Sequence, residues 1–92
     1  MEKKVYIVIG ADLLHPGHIN VINEGAKYGR VIVGLLSDEA IASYKRIPIY
    51  SYEARKEIFG NLKNVSETVI QNSLDYTENL RKIKPDYVVH GD

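Results

Sequence analysis

The sequence predicts a three-layer α/β sandwich, with helices covering both faces of a parallel sheet. Two observations carry this. Strand-like and helix-like segments follow one another in the order β-α-β-α-α-β-α-β, and the strands are continuous apolar runs rather than alternating ones. With 92 residues there is room for one domain and no more.

Val5 to Ile9 is a short β-branched run closed by Gly10, and reads as a buried strand. Gly10 to Gly17 is a loop. From His18, Ile19, Ile22 and Ala26 recur at helical spacing, with Gly29 as a C′ stop. Arg30 to Leu36 (RVIVGLL) is a second apolar strand, and Ser37 caps a short helix with Asp38 and Glu39 in its first turn. Tyr44 to Tyr50 is a linker in which Pro48 bars regular structure. Ser51 caps a third helix (SYEARKEIFGNL), and Glu67 to Gln71 is a strand. Asp75 with Glu78 three residues on resembles a capping box for a fourth helix, which Pro85 blocks. Asp86 to Val89 is the last strand, followed by His90, Gly91 and Asp92.

The charge is balanced, 12 basic against 12 acidic residues, which argues against a duplex nucleic-acid partner. The absence of cysteine excludes disulfides, thiolate nucleophiles and Cys-rich metal sites. No apolar stretch approaches the roughly 18 residues of a membrane span, and the apolar run behind Met1-Glu2-Lys3-Lys4 is too short for a signal peptide. A soluble cytoplasmic protein is the expectation. A domain this small buries only about 60–65% of its unfolded surface, so a partner subunit would help it.

In a parallel sheet, ligands bind beyond the carboxyl ends of the strands. That selects the loop after the first strand, the segment after the second, and the tail after the last. The first holds Asp12-Leu13-Leu14-His15-Pro16-Gly17-His18, two histidines in a loop that opens a helix. A helix start favours phosphate oxygens, Gly17 permits close backbone approach, and imidazoles there would donate to charge developing on a phosphoryl group. Two other readings stand beside it: solvated or structural histidines, and a metal site formed by His15, His18 and His90. The Pro-Gly loop lacks the one-turn helical spacing usual in metal-binding histidine pairs, so the expectation is no protein-held metal.

The segment ADLLHPGH closely resembles the HxGH signature of the nucleotidyltransferase superfamily. It is similar in particular to glycerol-3-phosphate cytidylyltransferases and to the cytidylyltransferase modules associated with phosphoenolpyruvate mutase. The likeness runs along the chain: DLLHPGH matches DLLHxGH, Asp38-Glu39 matches the DE after the second strand, Ser51 to Arg55 matches SYExR, and Val89-His90-Gly91-Asp92 matches the start of the GDD stretch.

The resemblance implies a Rossmann-like fold over a single cytidylyltransferase-like domain, residues 1–92. It implies transfer of CMP from CTP to a small phosphate- or phosphonate-bearing acceptor with release of pyrophosphate, by in-line attack without a covalent intermediate. His15 and His18 would stabilise the transferring phosphate, with Asp12 ordering their loop and Arg55 assisting. Gly10, Ala11, Gly17, Lys45, Arg46, Gly91 and Asp92 would hold nucleotide and phosphates, and Mg²⁺ would accompany the triphosphate. Homodimerisation is implied as well. The alternatives are an adenylyltransferase using ATP, and a nucleotide-binding or assembly module without turnover. Three departures stand out. Ile9-Gly10-Ala11 replaces the family's Gly-Thr-Phe; Tyr44 and Arg46 stand where lysines are usual; and the second signature, rich in Arg, Ser and Thr, is not among these residues.

Overall fold

The computed structural model describes residues 3–10, 14, 16–43 and 50–91, the last two as backbone. The elements are β1 (Lys4–Ile9), α1 (Pro16–Ala26), β2 (Arg30–Leu36), α2 (Asp38–Ala42), α3 (Tyr52–Gly60), β3 (Val65–Gln71), α4 (Thr77–Ile83) and β4 (Tyr87–Gly91). Four strands form one sheet in the order β3-β2-β1-β4, every pair parallel.

Strand side chains alternate between faces, and the two faces have separate cores. Val5, Ile7 and Ile9 of β1, with Val31, Val33 and Leu35 of β2, pack against Ile22 of α1 and Phe59 of α3. Tyr6, Val8, Ile32 and Leu36 meet Ala40 and Ile41 of α2, with Leu80 and Ile83 of α4 beside them. This is the three-layer arrangement expected. Burial on both faces holds for the central strands only. β3 and β4 lie at the edges, and β3, Tyr87 and Val88 are largely solvated.

Local chemistry moves several boundaries. α1 starts at Pro16 rather than His18, because proline's fixed φ and missing N–H suit the first helical position. Gly29 is not a left-handed helix stop, since no described glycine has positive φ. Its hydrogen side chain is required because a Cβ there would strike the carbonyl of Lys3. Asp75 does not cap α4: Tyr76 holds that position with no side-chain capping bond, and Asp75 Oδ1 accepts from the Thr77 amide (2.9 Å) and hydroxyl (2.6 Å). β4 runs on through His90 and Gly91, which sit opposite Val8 and Ile9, because the ladder offered by β1 outweighs glycine's weak strand propensity.

Gly34 of β2 lies under the phenol of Tyr6. An added Cβ would overlap its hydroxyl and come within 2.5 Å of Cζ. Gly34→Ala is therefore expected to destabilise by about 1–3 kcal/mol through overpacking, seen as a lower urea midpoint at unchanged slope. The C-cap of α4, Lys84, holds φ 52° and ψ 59°, a left-handed conformation that strains a side chain. Lys84→Gly should raise stability by about 0.5–1 kcal/mol, or some 3–6 °C in Tm for a domain this small. A fall in Tm would show that the side chain, not the backbone, matters there.

Candidate functional site at the C-terminal edge of the sheet

Parallel pairing brings the carboxyl ends of all four strands to one edge. Ile9 lies opposite Leu35 on one side and Gly91 on the other, and Leu36 lies opposite Gln71. The chain steps from β1 outward to β2 and β3, then crosses back to place β4 on the far side of β1. The topological switch point, where a crevice opens in such sheets, is thus between β1 and β4. Gly10, buried, and the backbone of Gly91 lie there.

The N-terminus of α1 comes to the same edge, since a crossover helix runs antiparallel to its strands. Its first turn carries no acidic residue, so no carboxylate of its own offsets the positive end of the helix dipole. Gly17 and His18 are in this turn. His18 is 2% exposed, and its imidazole meets the Phe59 ring edge-on at 5.9 Å and 70°. Packing between α1 and α3 therefore fixes the plane of the ring.

On the β2 side the site is built around a buried cation. Arg55 of α3 is fully buried, and its guanidinium donates to the Leu36 carbonyl (2.7 Å), to Asp38 Oδ1 (2.7 Å) and to the Tyr50 carbonyl (3.3 Å). The Tyr52 ring stands 5.9 Å from its Cζ. One side chain so ties the end of β2, the first turn of α2 and the entry to α3, and brackets the segment 44–49. Its charge is directed at Asp38. Ser37 caps α2 by accepting from the Ala40 amide (3.1 Å), while its own amide donates to the Gln71 carbonyl (3.0 Å) at the end of β3.

Of the residues expected to act, the described ones are thus Gly10, Gly17, His18, Arg55 and the backbone of Gly91. They fall in two groups, one at the switch point and one, Arg55, at the β2 end. Ala11, Asp12, His15, Lys45, Arg46 and Asp92 lie outside the described residues, as does the side chain of His90. Among the described residues, no three His, Asp or Glu side chains gather as metal ligands, and no helix is long and apolar enough to cross a membrane. Ser37 and Gln71 gave no functional signal in the sequence beyond the cap that Ser37 forms.

Comparison with known proteins gives the site a context. Residues 8–92 match the family model described as cytidylyltransferase-like. An FAD synthase of Ferroglobus placidus is 33% identical over 89 residues, 97% of this chain and 59% of that protein. An FAD synthase of Methanopyrus kandleri is 34% identical over 95 residues, covering 99% and 63% respectively. The chain thus spans about three-fifths of the length of these relatives. Among solved structures, a lipopolysaccharide core biosynthesis protein from Thermoplasma volcanium superposes with a TM-score of 0.89 at 26% identity, over 96% of this chain and 73% of that one.

Proposed function

The chain belongs to the cytidylyltransferase-like family, and from that premise we propose that it serves nucleotidyl transfer from a nucleoside triphosphate to a small phosphate-bearing acceptor. The observation that carries this reading is the meeting, at one switch point, of the α1 N-terminus with its fixed His18, buried Gly10 and the end of β4.

The triphosphate lies against the positive end of α1, with backbone at Gly10, Ala11 and Gly17 approaching it closely and Gly91 and Asp92 beside the nucleoside. An acceptor phosphate oxygen attacks the α-phosphorus in line; the new P–O bond forms as the bond to pyrophosphate breaks. His15 and His18 donate to the oxygens on which charge grows, and Asp12 orders their loop. Lys45 and Arg46, in the segment bracketed by α2 and Tyr50, offset the charge of the acceptor phosphate. Arg55 acts as a positioning residue. A divalent cation, Mg²⁺, would be carried by phosphate oxygens and water rather than by a protein cage.

For the donor, ATP is the favoured reading, because the FAD synthases are named for a product that contains an adenylyl group. CTP is the second reading, supported by the likeness of DLLHPGH to cytidylyltransferases and by the family description. Thermal unfolding with Mg²⁺ and each of ATP, CTP, GTP and UTP separates them. A nucleotide at about 100 times its Kd adds roughly 2.7 kcal/mol, a rise of some 10–20 °C for this chain length. A rise with ATP alone supports adenylyl transfer, and with CTP alone cytidylyl transfer. No rise with any of the four would overturn nucleotide handling by these residues. Pyrophosphate release with FMN, glycerol 3-phosphate and 2-aminoethylphosphonate then sorts the acceptors.

A further inference from the structure

His18 lies in the first turn of α1 and Phe59 in the last turn of α3, two helices that cover the same face of the sheet. Both side chains are buried, and their ring centroids stand 5.9 Å apart with the planes at 70°. An imidazole turns about χ2, a soft torsion with a broad preference, so its covalent geometry leaves the plane of the ring open. What packs on the ring must set that plane. The buried members of the cluster on this face, Phe59 apart, are valine, isoleucine and leucine. Branched aliphatic groups exclude water but impose no angle. A T-shaped aromatic pair does, because the positive edge of one ring is drawn to the negative face of the other.

The Phe59 ring is itself held in place. Arg55, one turn earlier on the same side of α3, ties the helix to the end of β2 through the Leu36 carbonyl (2.7 Å). At the far end the Phe59 carbonyl accepts from the Leu62 amide (3.3 Å), and Asn61 Nδ2 donates to the Glu57 carbonyl (2.7 Å). With both ends of α3 fixed, the helix presents an aromatic ring to His18 from a set position.

We propose that Phe59 is a positioning residue for nucleotidyl transfer: the edge-on contact of its ring holds the His18 imidazole at the angle from which it donates to the transferring phosphate. This rests on the reading of His18 as that donor. An aliphatic residue at position 59 would then preserve the core and not the rate.

Phe59→Leu keeps an apolar side chain in the cluster and removes the ring. With the acceptor from the panel that supports turnover, its kcat should fall about tenfold, since misplacing a reacting group by an ångström costs up to about 10²-fold. KM for the nucleotide should stay within about twofold and the thermal shift with nucleotide should be retained. The effect must run through His18, so adding Phe59→Leu to His18→Asn should lower kcat by less than a further factor of about two. Val31→Ala loosens the same cluster near the amino ends of the strands and should leave kcat within about twofold. Phe59 is the one phenylalanine of the chain, which lets NMR read the contact directly. Nuclear Overhauser effects should join its ring protons to a histidine ring whose signal disappears in His18→Asn, and in Phe59→Leu that signal should shift and broaden. An unchanged kcat, losses that multiply in the double variant, an equal loss in Val31→Ala, or an unmoved His18 signal would each overturn the proposal. A wild-type chain that turns over no acceptor would sink the functional reading and not the contact, which the NMR signals test on their own. Should Phe59→Leu fail to fold, Phe59→Met, which has no ring, must give the same pattern. If neither folds, the ring serves folding alone and the proposal falls.

Discussion

Arg55→Ala is expected to lose about 3 kcal/mol of stability, a large share of the roughly 5–14 kcal/mol available to a 92-residue chain. The loss has three sources. The Leu36 carbonyl, sealed at the end of β2, loses its donor. The fully buried aliphatic stem leaves a void beside the core. Asp38 loses a 2.7 Å partner, which counts for less because its side chain is 41% exposed and water can replace the cation. Arg55→Lys keeps the charge but not the fork, so it cannot reach Leu36, Asp38 and Tyr50 together, and should recover less than half of the loss. Urea unfolding of the two variants measures both. A loss below about 1 kcal/mol for the alanine variant would mean that the guanidinium is not the hub of the β2 end, and would return it to the phosphate role.

The contrast between the two sides of the site explains what the sequence disclosed. The central strands were legible because their apolar runs are continuous, and a strand covered on both faces has no other pattern to show. Ser37 and Ser51 were legible as caps because the cap is a local bond, three residues long in each case. HxGH was legible as a motif, and the α1 start at Pro16 puts its Gly17 and His18 in the first turn of that helix. What stayed hidden depends on partners far along the chain. Tyr6 reads as one more large residue in an apolar run, yet its hydroxyl is used by residues 65 and 73 positions away. Arg55 reads as a cation on a polar helix, and only the fold brings Asp38 to it across 17 residues. Periodicity reports which face a residue occupies, not which atom it meets there. The extension of β4 through Gly91 has the same cause, since its partner is β1.

His18 is where the largest effect on rate is expected. Its ring is held between α1 and Phe59 rather than free in a loop, so the imidazole needs no reorganisation when charge builds on the transferring phosphate. Removing one such donor costs about 10²–10³ in kcat in well-studied cases. His18→Ala would mix that with a cavity in the core, of order 2 kcal/mol, because the residue is 2% exposed. His18→Asn keeps more of the volume and is the cleaner variant. Its kcat should fall by about 10²–10³, while the nucleotide-induced rise in Tm stays within a few degrees of the wild type. That division is what a donor acting on the transition state requires, because loss of a group that binds ground and transition states alike would raise KM and leave kcat unchanged. Unchanged turnover would remove His18 from the chemistry and leave it as a packing partner of Phe59. A fall in turnover that tracks a lost thermal shift would make it a ground-state nucleotide contact, and the burden of transfer would then rest on His15.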